Sequence, residues 1–263
     1  MASAVSDSTK RSVAVFRFYA ELNDFLPKAA AGRETAYAFN GRPAVKDAIE
    51  AQGVPHTEVD LILCNGASVD FSHPLQTGDR VAVYPVFESF DVSPLLQVRP
   101  APLREPRFVC DVHLGKLARR LRLLGFDTAY HRNYTDPEIV VVATREKRIV
   151  LTRDRGLLQH RAITRGTCVR SKVPDEQLAE VVRRFQLEKH LALFSRCMAC
   201  NGVVQAMAKE EVIDQLGPET KRIHREFRRC PACGRVYWRG SHCTRLLARL
   251  QTVLPGVVEG HAQ

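Results

Sequence analysis

Two Cys-x-x-Cys pairs, Cys197/Cys200 and Cys230/Cys233, constrain the fold of this chain more than any other feature. Together they offer four soft ligands at the spacing of a tetrahedral structural zinc site. Each pair lies in turn-forming text: Cys200 is followed by Asn201-Gly202, and the second pair reads Cys230-Pro231-Ala232-Cys233-Gly234. The 29 residues between the pairs exceed the gap of a compact finger, and Glu210 to Leu216 is expected to form a helix inside it. A redox role is the rival, but the chain holds two pairs and no thioredoxin-like context. Cys64, Cys110, Cys168 and Cys243 are scattered, three of them in apolar runs, and read as buried, inert thiols. Cysteines arranged for metal rather than for disulfides fit a reducing compartment. Met1 to Lys10 lacks the apolar core of a secretory signal, and no stretch approaches the roughly 18 apolar residues of a membrane span, so a cytoplasmic protein with no membrane partner is expected.

At 263 residues, 45% of them hydrophobic, the chain is long enough for two or three compact units with real cores. Pro94, Pro100, Pro102 and Pro106 interrupt residues 91–106, which show no helical periodicity and are assigned as a linker. The charge changes sign across it. Residues 1–98 carry 8 Lys/Arg against 12 Asp/Glu, a net of −4, whereas residues 99–263 carry 31 against 17, a net of +14. A basic unit joined to an acidic one points to a polyanionic partner for the second two-thirds of the chain.

Before the linker, residues 13–19 and 35–39 read as strands and Pro43 opens a helix over Ala44 to Ala51 that Gly53 stops. Val59 to Cys64 and Val81 to Val86 read as further strands, with turns at Asn65-Gly66 and Gly78-Asp79. Two strands, a helix and two more strands make the β-grasp order, an α+β domain over residues 10–90. Leu63-Cys64-Asn65-Gly66, followed by Leu75-x-x-Gly78-Asp79-Arg80-Val81, resembles the ubiquitin-like family and its small sulfur-carrier branch. Carriers of that branch end in a free Gly-Gly tail. Here the chain runs on through Tyr84-Pro85-Val86-Phe87, which excludes a carrier role without cleavage and leaves binding of a protein partner or of a nucleic acid.

After the linker, strand and helix alternate, as in a parallel or mixed sheet covered on both faces. Phe108-Val109-Cys110 is a short apolar strand ending at Asp111, and Ile149-Val150-Leu151-Thr152 is another, ending at Arg153-Asp154. Between them Leu114, Leu117, Ala118, Leu121 and Leu124 mark one face of a helix that Gly125 stops. Phe126 to Tyr130 is a strand, Asp136-Pro137 starts a helix that Asp136 could cap, Thr167 to Val169 is a strand, and Pro174 opens a helix to Phe185. Carboxylates at the carboxyl ends of neighbouring strands converge on one crevice. Brought within a few ångströms they need a cation between them, and their hard oxygens favour Mg²⁺ or Mn²⁺. Such an ion activates water and offsets charge at phosphorus, which outlines a phosphodiesterase.

Residues 107–185 resemble the Mut-seven C-terminal RNase family, a branch of the PIN-like nucleases. The matching text is Asp111-x-x-Leu114-Gly115-Lys116-Leu117-Ala118-Arg119-x-Leu121-Arg122-x-Leu124-Gly125-Phe126-Asp127, then Asp136, then Ile149 to Arg155. The resemblance implies a PIN-like α/β/α nuclease domain over 107–188 with Asp111, Asp136 and Asp154 as metal-binding acids. PIN-like sites often hold a fourth acid, and Glu138 and Asp175 are both candidates. His113 is read as capping or packing and Asp127 as structural. Lys116, Arg119, Arg122 and Arg153 become candidates for RNA phosphate contacts, with Arg120 on a solvated face. The same family carries a C-terminal zinc segment with text like Gly234-Arg235-Val236-Tyr237-Trp238-x-Gly240-Ser241-His242, here a zinc-ribbon module over 189–252 before a tail at 253–263. The expected activity is Mg²⁺- or Mn²⁺-dependent hydrolysis of RNA, possible tRNA or ribosome-associated RNA included. The alternatives are a non-catalytic RNA- or ribosome-binding factor and a partner-binding adaptor centred on the β-grasp domain.

Overall fold

The computed structural model describes residues 11–85 and 106–256, and the chain divides into two compact units, residues 1–102 and 103–263. Residues 91–105 of the expected linker, 257–263 of the expected tail, and the run through Val86-Phe87 lie outside the described residues.

The first unit is a five-stranded sheet in the order β2-β1-β5-β3-β4. Strand β1 (Ser12–Phe18) pairs antiparallel with β2 (Glu34–Phe39) and parallel with β5 (Arg80–Tyr84), which also pairs antiparallel with β3 (Leu61–Cys64). Helix α1 (Val45–Ala51) buries Val45, Ala48 and Ile49. This is the β-grasp arrangement. The sequence gives no sign of β4 (Ala67–Val69), whose three residues are too few to display alternation. It exists because Asn65 (φ +52°) and Gly66 (φ +85°) form the two-residue turn that folds it back onto β3.

The second unit holds a four-stranded sheet in the order β7-β6-β8-β9, parallel throughout: β6 (Phe108–Cys110), β7 (Thr128–Ala129), β8 (Ile149–Thr152) and β9 (Gly166–Cys168). Side chains alternate across it. Phe108, Cys110, Ile149 and Leu151 enter a core with Leu117, Leu121 and Leu124 around α2 (Gly115–Leu123) and Leu178, Val181 and Val182 of α5 (Pro174–Arg184). Val109 and Val150 are buried on the other side, where α3 (Asp136–Glu146) contacts β6 and β8 and buries Ile139 and Ala143.

Beyond the sheet, β10 (Gln205–Met207), β11 (Phe227–Arg229) and β12 (Val236–Trp238) form an antiparallel three-stranded sheet. The helix expected at Glu210–Leu216 is two 3-10 turns, Lys209–Glu211 and Ile213–Gln215, followed by α6 (Pro218–Ile223). A last helix, α7 (Ser241–Val253), packs on α5, and its Leu250 together with Leu254 joins the core of the parallel sheet. The cysteine region has a small core of its own, Cys197, Val204 and Cys230 with Tyr237, while α7, past the cysteines in sequence, returns to the core of the parallel sheet.

Candidate active site at the carboxyl end of the parallel sheet

Chain direction locates the crevice. From β6 the chain crosses through α2 to β7 at one edge, and from β8 through α4 (Arg155–Leu158) to β9 at the other. The gap between the carboxyl ends of β6 and β8 is thus a topological switch point, where the connecting segments part and leave room for a ligand. Asp111 and Asp154 follow those two strands.

Parallel pairing sets Cys110 beside Leu151, so Asp111 meets Thr152. The Thr152 hydroxyl donates to Asp111 Oδ2 at 2.6 Å and accepts from the Asp154 amide at 2.9 Å. One buried side chain therefore spaces the two acids. Asp111 is 5% exposed, and its Oδ1 accepts from the His113 amide at 2.9 Å, capping the 3-10 turn that leads into α2. Asp154 is exposed, and its Oδ1 accepts from the Gly156 amide at 2.7 Å at the start of α4. The turn before α2 is held closely. The Tyr130 hydroxyl donates to the Val112 carbonyl at 3.2 Å, and a Cβ on Gly115 would lie 2.5 Å from that hydroxyl, so any larger residue there has to displace the Tyr130 ring.

Asp136 occupies the first turn of α3, but it is not the cap. Thr135 precedes the helix, and Glu138 Oε2 accepts from both the Thr135 amide and its hydroxyl at 2.8 Å, the reciprocal half of a capping box. Those bonds hold the Glu138 carboxyl below its ordinary value. Asp136 is exposed. Among the described residues, Asp111, Asp136 and Asp154 do not form a group with donor oxygens all within 4.8 Å of one another. Asp111 and Asp154 follow adjacent strands, and Asp136 lies in the first turn of α3.

Asp175 is committed elsewhere. Its Oδ1 accepts from Arg120 Nε at 2.9 Å and its Oδ2 from Arg249 Nε at 2.7 Å, tying α5 to α2 and α7. Burial alone would raise this carboxyl, but the Arg249 hydrogen bond and the Arg120 charge outweigh burial and hold it below its ordinary value. Arg120 is therefore an ion-pair partner and not a solvated side chain.

The basic candidates also divide. Lys116, Arg119 and Arg153 are exposed, and no carboxylate pairs with them among the described residues. Arg122 is 3% exposed and cannot meet a phosphate. Its Nε donates to the Thr128 carbonyl at 2.9 Å, and its Nη1 to the carbonyls of Met198 and Ala199 at 3.2 and 2.9 Å. In sequence Arg122 lies four residues after Ala118, on the flank of the apolar stripe, which was the available signal for its burial.

Those carbonyls belong to the first cysteine pair. The sulfurs of Cys197, Cys200, Cys230 and Cys233 all lie within 4.8 Å of one another, with Cys197–Cys233 at 3.6 Å and Cys200–Cys230 at 3.4 Å. A zinc ion with bonds of about 2.3 Å draws its sulfurs to about 3.8 Å apart, so the set fits a closed four-thiolate site. Burial alone would raise the Cys197 thiol, but the Tyr237 hydroxyl at 3.0 Å and the amides of Cys200 and Ala199 bring it down to about 6. The Cys200 thiol is pushed up to about 12, first by burial and then by its bonds to the other sulfurs. Four sulfurs this close ionise together only around a cation. Neither His242 nor Cys243 joins the set.

The first knuckle is fastened to the sheet. Asn201 (φ +72°) donates to Asp127 Oδ1 at 2.7 Å and accepts from the Thr128 amide at 3.0 Å, at the edge strand β7. Asp127 also pairs with Arg148 at 2.6 Å and Arg196 at 3.4 Å, so its carboxylate ties the edge strand to the knuckle. The described residues contain one more group of ligand-type side chains, Cys64, His73 and Asp79 in the first unit. There Asp79 accepts from Asn65 Nδ2 at 2.9 Å and the Gln76 amide at 2.8 Å, closing the two turns of the β-grasp sheet.

Comparison with known proteins gives independent results. Residues 106–250 match the Mut7-C RNAse domain, and residues 11–91 match the Mut7-C ubiquitin domain. A curated relative, the human exonuclease mut-7 homolog, is 35% identical over 121 residues, 44% of this chain. The aligned stretch is 14% of that relative's length. The RNAse-domain match and the name of the relative point to nuclease chemistry. Among the described residues, no helix is long and apolar enough to cross a membrane.

Proposed function

Because the chain belongs to the Mut7-C RNase domain family, we propose that it is a metal-dependent ribonuclease whose active site opens at the carboxyl ends of β6 and β8. The observation that most supports this reading is the pair Asp111 and Asp154, set on adjacent strands and spaced by the Thr152 hydroxyl. Each aspartate uses one oxygen to cap the turn that follows it and keeps lone pairs directed elsewhere. Only oxygen ligands stand there, which suits Mg²⁺ or Mn²⁺, ions that retain several waters and need few protein ligands. Asp111 and Asp154 would hold the ion, with Asp136 as the third acid. When bound, the ion supplies an activated water and offsets negative charge at the phosphorus. Lys116, Arg119 and Arg153 position the RNA backbone near the acids without reading its sequence. The four cysteines hold a structural Zn²⁺ that takes no part in the chemistry. The β-grasp unit, which carries none of these acids, binds a protein partner.

The test is a cleavage assay on a mixed RNA pool, with Mn²⁺ or Mg²⁺ against a chelator, using wild type, Asp111→Asn and Asp154→Asn. Each substitution keeps the side-chain shape and removes a charge from the metal site. Each is expected to lower the cleavage rate by at least about 10²-fold, with the circular dichroism spectrum retained. Wild-type rates in both folded variants would refute the site. RNA binding without cleavage would favour a non-catalytic RNA-binding factor.

A further inference from the structure

Trp238 is the single tryptophan of the chain, and it stands 39% exposed at the end of β12. Its ring contacts Phe227 at a centroid distance of 6.4 Å and otherwise faces a cleft of about 1110 Å³. Apolar and aromatic side chains line this cleft, among them Phe194, Met207 and Ile223, the last 59% exposed. Arg225, Arg228, Arg239 and His224 add positive or titratable groups, against the carboxylates of Glu219 and Glu226. A second cleft of about 580 Å³ adjoins it and shares Met198, Val236, Tyr237, His242 and Leu246. The second cleft is lined by Lys116, Arg119 and Arg235. Its one acid, Asp175, is already neutralised by Arg120 and Arg249. Among the described residues no carboxylate pairs with Lys116, Arg119, Arg225, Arg235 or Arg239. The two clefts form a continuous basic path from the start of α2, five residues beyond Asp111, to an exposed indole.

We propose that this path is a groove for single-stranded RNA, with phosphates along Lys116, Arg119 and Arg235 in one cleft and Arg225 and Arg239 in the other, and an unpaired base stacked on Trp238. Basic side chains beside an exposed aromatic face are the two elements that sequence-independent binding of single strands requires. A duplex is a poorer occupant, because its bases are stacked on one another and offer the indole no face. An acidic peptide would satisfy the charges but not the ring. The proposal rests on the ribonuclease reading for the class of its occupant and places that substrate's flanking strand on the zinc module.

The lone tryptophan makes the groove directly observable. The full-length Asp111→Asn protein, used so that the RNA survives, is titrated with an oligouridylate of about twelve nucleotides, a length within the range of known single-strand sites. Saturable quenching of the indole emission is expected with the single strand, and little with the same oligomer annealed to oligoadenylate. Trp238→Ala should weaken binding of end-labelled oligouridylate by about tenfold, and Trp238→Phe should retain most of the affinity. A combined Arg225→Gln and Arg239→Gln variant should reduce the dependence of affinity on salt, with bound zinc and melting temperature unchanged. That variant leaves the indole contact with Phe227 intact and keeps the test valid if Trp238→Ala fails to fold. Equal quenching by duplex overturns the stacking contact. Absence of quenching, in a protein that nevertheless cleaves RNA, overturns the groove and leaves the ribonuclease reading standing. Quenching by single strands in a wild-type protein that never cleaves RNA upholds the groove and refutes the ribonuclease.

Discussion

A guanidinium taken out of water keeps its place only if its N–H groups are received, and Arg122 achieves this with three carbonyls from two distant segments. Burial lowers its pKa, and the nearby sulfurs of Cys110, Cys197 and Cys200 work the other way. Its side chain thus acts as a bolt between β7 and the first cysteine knuckle. Lysine carries the same charge but lacks the planar fork that spans both segments. Arg122→Lys should therefore lower stability by about 2 kcal/mol, from buried carbonyls left without donors, seen as a lower urea midpoint. An unchanged midpoint would release Arg122 from this role. Thr152 is the other residue whose importance arises from its neighbours. Its hydroxyl matters because the register of β6 against β8 sets it beside Asp111. The sequence displays Thr152 as the end of an apolar run and gives no sign of that partner.

At the scale of elements, Asp175 clasps three helices, α2 through Arg120, α5 on which it sits, and α7 through Arg249. Its folded-state pKa lies below the ordinary value of 3.8. The clasp therefore contributes fully above that pH and is lost as the pH falls through the lower folded-state value. Asp175→Asn should cost about 1 kcal/mol at neutral pH, a modest figure because the Arg249 side chain is largely exposed and screened. In denaturant titrations the difference from wild type should vanish at strongly acid pH, and a gap that persists there would exclude the charge as its cause. The cysteine knuckle is clasped in a similar way, by Asn201, Arg122 and the Asp127–Arg196 pair. Stripping zinc with a chelator should accordingly lower the melting temperature of the parallel-sheet unit as a whole, in one transition. An early, separate transition confined to residues 190–245 would mean that the knuckle folds as an independent module.

For the whole molecule, the two units divide the charge, and every acid and base of the proposed site lies in the second. Removing residues 1–102 should leave the cleavage rate intact and hold or raise affinity for single-stranded RNA, because an acidic unit no longer repels the polyanion. Filter binding should also show affinity falling steeply with salt, since each neutralised phosphate releases counterions. A truncated protein that folds but no longer binds RNA would assign substrate contacts to the β-grasp unit. Much of this architecture is local, and so the sequence determined it unaided. The Asn65-Gly66 turn, the apolar strands ending in Asp111 and Asp154, the leucine stripe of α2 and the two cysteine pairs each depend on spacing over a few residues. Helix α7 is also legible, since Leu246, Leu247, Leu250 and Leu254 repeat at helical spacing. Tertiary structure alone decided the rest. It buried Arg122 against a knuckle 76 residues away, gave Asp175 to two arginines, and placed α7 in the core of the parallel sheet. A charged side chain carries the same local signature whether it faces water, a carbonyl or an opposite charge, and an apolar helix face the same signature whichever core it joins; only the packing of distant segments selects among them.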